Sequence, residues 1–392
     1  MTSAAATTSA TGASATVDVR EGTGRPGILP AHLIRRMVEE GQVVAPAGVP
    51  IARDQIQPAS LDLRLGTRAY RVRASFLPGP ARTVEERLEE LSLHVFSLED
   101  GAVLETGCVY IIPLLESLKL PADVSAIANP KSSTGRIDVF TRVISAFGHA
   151  FDQVPAGYEG PLYAEVSPRT FPILVRTGSR LAQIRFRRGE PERSDDLIRR
   201  LHAREPLVTT GEPDICGGVA LSVDLAGGDY AQPVGFRARR HSGLIDVDRV
   251  GSLDPRAFWE PIVQRGPLVL EPEEFYILAS KEAVRVPPDH AAEMVPFDPM
   301  VGEFRVHYAG FFDPGFGHAA GGGEGARAVL EVRSREVPFI LEDGQIVGRL
   351  IYEPLCEAPE FVYGQNIGSH YQRQGLKLSK HFRPYVLTAD GS

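Results

Sequence analysis

Cysteine is scarce in this chain. Cys108, Cys216 and Cys356 stand far apart in 392 positions. An odd, scattered set supports neither a disulfide framework nor a paired-cysteine metal clip. No run of about 18 apolar residues occurs, so no helix is expected to cross a membrane. Basic charge is not in excess either. The formal net charge of −8 argues against binding to a nucleic-acid backbone. Residues 1–16, MTSAAATTSATGASAT, have neither the basic start nor the apolar stretch of a signal peptide. Nothing in residues 1–26 can bury a core, so this stretch is expected to be a disordered tail. The expectation is a soluble, cytoplasmic protein with no membrane or nucleic-acid partner.

Glycine and proline are plentiful, at 39 and 31 residues, which fits many short strands and turns better than a helical bundle. The length suggests two or three domains. One helical pattern stands near the start, Ile28 to Glu40, with Leu33, Ile34, Met37 and Val38 at helical spacing and Gly41 as its stop. Afterwards the apolar runs shorten, as in Leu61–Leu65, Val109–Leu115, Leu162–Val166 and Leu181–Phe186, and read as strands.

The second half repeats the first. Tyr110, Glu116, Pro121, Asp123, Glu165, Arg169, Pro172 and Gly178 recur as Tyr276, Glu282, Pro287, Asp289, Glu331, Arg335, Pro338 and Gly344, each 166 positions on (331 minus 165, for instance). An earlier pair, Ser60-Leu-Asp62-Leu and Ser222-Val-Asp224-Leu, is displaced by 162, as one short indel would produce. The chain therefore reads as two copies of one β domain, residues 27–212 and 213–392. The charged stretch Arg187–Glu212 is expected to be the linker ending the first copy. Gly321-Gly-Gly-Glu-Gly325 is expected to be a flexible loop, since it lacks the Lys-Ser/Thr and helix start of a phosphate loop.

Four segments carry chemistry. Lys131-Ser132-Ser133-Thr134-Gly135-Arg136 combines hydroxyls, backbone amides and two cations that together suit a polyphosphate. Tyr308-Ala309-Gly310-Phe311-Phe312-Asp313-Pro314-Gly315 runs from an apolar strand into a turn. Its backbone suits a base edge and Asp313 a sugar hydroxyl, although Asp-Pro-Gly is also ordinary turn chemistry. Glu331 and its counterpart Glu165 each sit inside an apolar strand, where desolvation raises a carboxyl pKa toward the range of proton transfer. The run from Tyr363 through His370, Tyr371 and Gln374 to Lys380 is rich in donors and glycine hinges, as a closing lid would be.

Taken together, these segments resemble the dCTP deaminase and dUTPase superfamily. The opening Ile56-Gln-Pro-Ala-Ser60-Leu-Asp62-Leu-Arg64-Leu-Gly66 resembles the first family motif, Lys131–Arg136 the phosphate motif (with Lys where Arg is usual), Tyr308–Gly315 the nucleoside motif, and Tyr371-Gln-Arg-Gln374-Gly with Ser379 the deaminase tail. The order is the family's, and the doubled length resembles its long, fused branch. The resemblance implies a mostly β fold of two tandem dUTPase-like distorted antiparallel barrels of β-clip type, with a few short helices. It implies conversion of dCTP to dUTP and ammonia, supplying dUTP for thymidylate synthesis. It also implies a homo-oligomer, with three chains and six copies preferred, and dTTP as a feedback inhibitor.

The copies have diverged in complementary ways. The second has Asp298, Pro299 and Gly302 where the first has Ser132, Ser133 and Arg136, and an Asp near phosphates repels them. The first has a lengthened Ser145-Ala-Phe-Gly-His-Ala-Phe-Asp152 where the second has the nucleoside turn. The resemblance thus implies one composite site per chain, within a chain or between chains. The first copy would bind phosphate through Lys131, Ser132, Ser133 and Arg136. The second would bind the nucleoside through Tyr308, Ala309 and Asp313, under a lid of Tyr363, His370, Tyr371 and Gln374. Glu331 or Glu165 would activate water, with Ser133 and Arg136 assisting. The chain has neither the H-x-E nor the P-C-x-x-C of zinc deaminases, so zinc-free chemistry is expected, with Mg²⁺ carried on the triphosphate and no protein metal site. The competing readings are a dUTP or dCTP pyrophosphatase using Asp313 or Asp152, a bifunctional enzyme, and a non-catalytic nucleotide sensor.

Overall fold

The computed structural model describes residues 24–228, 232–296, 304–306, 310–334, 336–365, 372 and 374–386, with positions 296 and 304–306 described through the backbone alone. The expected tail lies outside the described residues up to position 23.

Strands dominate, and they fall in two matching sets. Ala102–Leu104, Val109–Lys119, Val124–Pro130 and Ile173–Val175 recur as Leu268–Leu270, Phe275–Val284, His290–Pro296 and Phe339–Leu341, all starting 166 positions on. Pairing repeats as well. Glu159–Pro168 lies between Val109–Lys119 and Val139–Ser145, and Ala326–Ser334 lies between Phe275–Val284 and Phe304–Val306. These central strands are covered on both faces, which explains their near-continuous apolar sequences. Pro161, which cannot donate to the ladder, sits where the register of its strand shifts. A carboxylate locks each opening motif, fully buried in the first copy and half-buried in the second. Glu116 accepts from the N–H (2.8 Å) and Nε (2.7 Å) of Arg64, and Glu282 from the N–H (2.7 Å) and Oγ (2.6 Å) of Ser222.

The first helix spans Ala31–Glu39, burying Leu33, Ile34 and Met37, and Gly41 at φ +70° ends it. The expected start at Ile28 is instead a two-residue strand, Gly27–Ile28, paired with Arg187 and Arg188. The charged stretch 187–212 is not an open linker. It contains the helix Asp195–Arg204, capped by Ser194, whose Oγ accepts from the N–H of Leu197 (3.1 Å). Its Leu197, Ile198 and Leu201 enter the second copy's core. The helix is masked in the sequence by its charges, whose spacing leaves an apolar stripe of Leu197, Ile198 and Leu201.

The copies share a continuous core. Phe236, Phe258, Trp259, Phe275 and Phe382 belong to the same apolar cluster as Phe171, Ile173 and Ile184 of the first copy. The short strand Ile245–Asp246 adds to the first copy's Ile173–Val175 in parallel. Arg187 and Glu353, equivalent positions of the two copies, pair at 2.6 Å. Residues that meet their own equivalents lie beside a rotational axis, so the copies are related by local pseudo-symmetry.

Candidate active site

The phosphate segment follows strand Val124–Pro130 as one helical turn, Ser132–Gly135. The N–H groups of Thr134 and Gly135 donate to the carbonyl of Lys131 (2.8 and 3.0 Å), and that of Arg136 to Ser132 (3.1 Å). Asp138, at φ +53°, then redirects the chain into the next strand. The turn buries Ser133 and Arg136 at the seam with the second copy and leaves Lys131 and Ser132 half-buried.

Across the seam stands Glu331, 4% exposed, on the central strand Ala326–Ser334. Its Oε1 lies 3.8 Å from Arg136 Nε, too far for a hydrogen bond. Burial pushes its carboxyl up to about 7, and the nearby Arg136 charge pulls the other way. The C-terminal segment lies over the same place. Arg136 Nη2 donates to Gln374 Oε1 (3.0 Å) and Nη1 to the Lys377 carbonyl (3.2 Å). Ser379 Oγ donates to the Ser133 carbonyl (2.8 Å) and contacts His381 Nδ1 (2.9 Å), and His381 Nε2 reaches the Val247 carbonyl (3.0 Å). Phosphate segment, Glu331 and tail therefore meet within one chain.

Lys131 pairs closely with Asp62 of the opening motif, with Arg180 3.8 Å from the same carboxylate. Lys380 is held below its usual pKa by burial and by the charge of Lys131. Lys377 is lowered by burial and by Arg136. Lys131, Lys377, Lys380 and Arg180 gather here against Asp62 and Asp54, the latter paired with Arg180 at 2.9 Å, and the surplus of cations suits a polyanion. Arg180 was not picked out from the sequence. It stands alone before its strand, and only folding brings it to Asp62.

Asp313 follows strand Phe311–Phe312 and is held at a buried turn. Burial raises its pKa, and Arg185 opposes the rise. Arg185 of the first copy is fully buried. It donates to the carbonyls of Ala292 (3.0 Å) and Phe312 (3.3 Å), contacts Asp313 (3.4 Å) and stacks 4.1 Å over the Phe311 ring. It reads from sequence as one more charge in a strand, so it too was missed. Tyr363 supports this turn, donating its N–H to the Pro314 carbonyl (2.7 Å) and packing on Phe316. Tyr308, Ala309, His370 and Tyr371 lie outside the described residues.

The glycine-rich loop is tightly packed rather than flexible. A Cβ on Gly321 would lie 2.1 Å from the Tyr363 carbonyl oxygen. Gln372 binds the carbonyls of Gly315 (3.2 Å) and Gly321 (2.9 Å) and accepts from the N–H of Gly317 (3.1 Å). The loop seats the tail.

Glu165 is not brought to this site. It is buried and paired with Arg142, whose Nε lies at 3.1 Å and whose guanidinium stacks 3.4 Å over Phe151. Asp152 beside it accepts from the Val143 N–H (2.8 Å), and burial pushes its carboxyl up to about 7.

Two family models cover nearly all of the chain. The 2'-deoxycytidine 5'-triphosphate deaminase N-terminal domain matches residues 25–190, and the corresponding C-terminal domain matches residues 194–382. The chain belongs to the dCTP deaminase family. The models divide it between 190 and 194, which assigns the helix Asp195–Arg204 to the second copy, in agreement with its packing. A crystal structure of 2'-deoxycytidine 5'-triphosphate deaminase from Agrobacterium tumefaciens is 59% identical, with a TM-score of 0.80, covering 84% of this chain and 99% of that one. Curated relatives are shorter. A "dCTP deaminase, dUMP-forming" from Dictyoglomus thermophilum is 29% identical over 165 residues, 41% of this chain and 79% of its own. A dCTP deaminase from Haloarcula marismortui is 30% identical over 158 residues, 40% and 77%. The mostly β fold of two dUTPase-like domains expected from the resemblance is the fold found. Among the described residues no helix is long and apolar enough to cross a membrane.

Proposed function

We propose that this dCTP deaminase family member releases ammonia from dCTP at the seam between its two copies, with Glu331 as the base. The supporting observation is the Glu331–Arg136 juxtaposition. A carboxyl near neutrality faces a buried guanidinium without being hydrogen-bonded to it, which leaves its oxygens to a water. Glu331 takes a proton as the water oxygen attacks C4 of cytosine and passes it to N3. Glu331 then takes the proton of the new C4 hydroxyl and hands it to the amino nitrogen, the C4–N bond breaks, and ammonia leaves as the C4 carbonyl forms. Ser133 and Arg136 orient the reacting end. Lys131, Ser132 and the neighbouring cations hold phosphates, Asp313 meets the sugar, and the backbone at Ala309 reads the base edge. Tyr363, His370, Tyr371 and Gln374 belong to the lid, and Gln374 gives up Arg136 when substrate enters.

The donors facing the phosphates are cations and hydroxyls, and no cluster of three His, Cys, Asp or Glu gathers among the described residues. Magnesium therefore enters this reading on the triphosphate oxygens and water, neutralising charge. The chain acts as a cytoplasmic homo-oligomer, three chains being the preferred number, with dTTP as feedback inhibitor.

The test is incubation with dCTP and Mg²⁺ followed by separation of products. Ammonia with dUTP in equal amounts is expected. Ammonia with dUMP and pyrophosphate would place this chain with the dUMP-forming relatives. Binding without turnover would overturn the reading in favour of a sensor.

A further inference from the structure

A second cavity, of about 510 Å³, opens in the seam between the copies, a volume usual for small-molecule sites. None of Lys131, Ser132, Ser133, Arg136, Glu331 or Gln374 lines it. Its polar walls are Arg169, Thr170 and Thr106 from the first copy and Arg240, His241 and Arg333 from the second, with Glu273 the lining carboxylate. Arg240 pairs with Glu274 (2.8 Å), and Arg169 is exposed without an ion pair among the described residues.

Arg333 is the informative residue. It is 8% exposed. Its Nη groups reach Asp138 closely, Thr170 Oγ1 at 2.9 Å and the Glu273 carbonyl at 2.6 Å, but its buried Nε has no hydrogen-bond partner. A buried donor left without a partner is costly and calls for an explanation such as a missing ligand. Two lining residues, His241 (φ +56°) and Glu273 (+60°), hold left-handed backbone, as does Asp138 (+53°), the partner of Arg333. Such strain gathers at ligand clamps.

We propose that this cleft binds a small di- or polyphosphate group and that its occupancy tunes the reaction through Arg333. Guanidinium forks and hydroxyls are the donors that phosphates select. Arg333 and Glu331 project from the same face of one strand, and its partner Asp138 lies two residues beyond Arg136. A phosphate that draws Arg333 from Asp138 therefore loosens both sides of the Arg136–Glu331 pair. The coupling rests on the reading of Glu331 as the base, and the binding does not.

Calorimetric titration separates the two. The Glu331→Gln chain is first saturated with dCTP, then titrated with pyrophosphate. One additional site per chain is expected, weakened at least tenfold by Arg169→Ala with Arg240→Ala, which leaves dCTP affinity within twofold. Tighter binding of a purine nucleoside diphosphate identifies a nucleotide as the source, and equal binding a free phosphate. Either supports the cleft. No second site, or equal affinity in the double variant, overturns it. If Glu331→Gln fails to bind dCTP, the functional reading is what fails. The unmutated chain and the double variant, titrated without dCTP, then decide the cleft on the same tenfold criterion. For the coupling, pyrophosphate at saturating dCTP is expected to change kcat at least twofold in the unmutated chain and not in the double variant. An unchanged kcat overturns it.

Discussion

Glu165 and Glu331 occupy equivalent strands of the two copies, both nearly fully buried, yet their surroundings differ. Arg142 clasps Glu165 within its own copy and stacks on Phe151. Glu331 faces a guanidinium from the other copy that stays 3.8 Å away. Arg142 holds Glu165 through one carboxylate oxygen inside the first copy, away from the phosphate segment. A buried carboxylate with a distant counter-charge retains both basicity and a free oxygen. Duplication preserved the residue, and the neighbours decide what it can do.

The sharpest way to break this contrast is to neutralise each carboxylate in turn. Glu331→Gln is expected to lower ammonia release from dCTP by about a thousandfold, within the range for general-base loss, and Glu165→Gln by no more than a few-fold. Equal losses, or a loss at Glu165 alone, would reverse the assignment. Next, Arg136→Ala is expected to lower kcat by about a hundredfold, the scale of a lost preorganised donor, with circular dichroism unchanged. A variant retaining parent kcat would remove Arg136 from the chemistry.

Stability sharpens the same comparison. Arg142→Ala leaves Glu165 buried and unpaired, and such losses run to about 3 kcal/mol. A clear fall in the urea midpoint is expected, with kcat little altered, whereas an unchanged midpoint would mean that the pair is not holding the first copy together. The smallest effect is on pH. As the base, Glu331 must be ionised, so kcat/KM is expected to rise with pH through about 7. For stability the sign is opposite. Its folded pKa lies above the unfolded value of 4.5, so its contribution is fully present below 4.5 and lost as pH rises through about 7. Glu331→Gln is therefore expected to raise the melting temperature at pH 8 and to leave it nearly unchanged at pH 4. A flat pH–rate profile, or equal melting shifts at both pH values, would refute the raised carboxyl.

The repeat was legible because strand starts follow the constant spacing of 166, from Ala102 and Leu268 through Ile173 and Phe339. Ser133, Arg136 and Glu331 were legible because polar groups inside otherwise apolar or tight-turn sequence stand out. Arg180, Arg185, Arg333 and His381 were not, since each is an unremarkable residue whose role comes from a partner at least 107 positions away, as with Arg185 and Ala292 at 107 and Arg333 and Thr170 at 163. The helix Asp195–Arg204 was hidden for a related reason, its charges outweighing a three-residue apolar stripe. The glycine loop misled because glycine signals either freedom or close approach, and only the neighbouring Tyr363 carbonyl tells which.

By itself the sequence determined the strand-rich architecture, the duplication and the complementary loss of segments, because periodicity and turn chemistry are local. The tertiary structure decided which glutamate faces the Arg136 guanidinium, that the phosphate segment and Glu331 meet inside one chain, and that arginines from both copies converge on a second cleft. Those outcomes depend on how the two copies pack, and no short-range pattern encodes a distance across their seam.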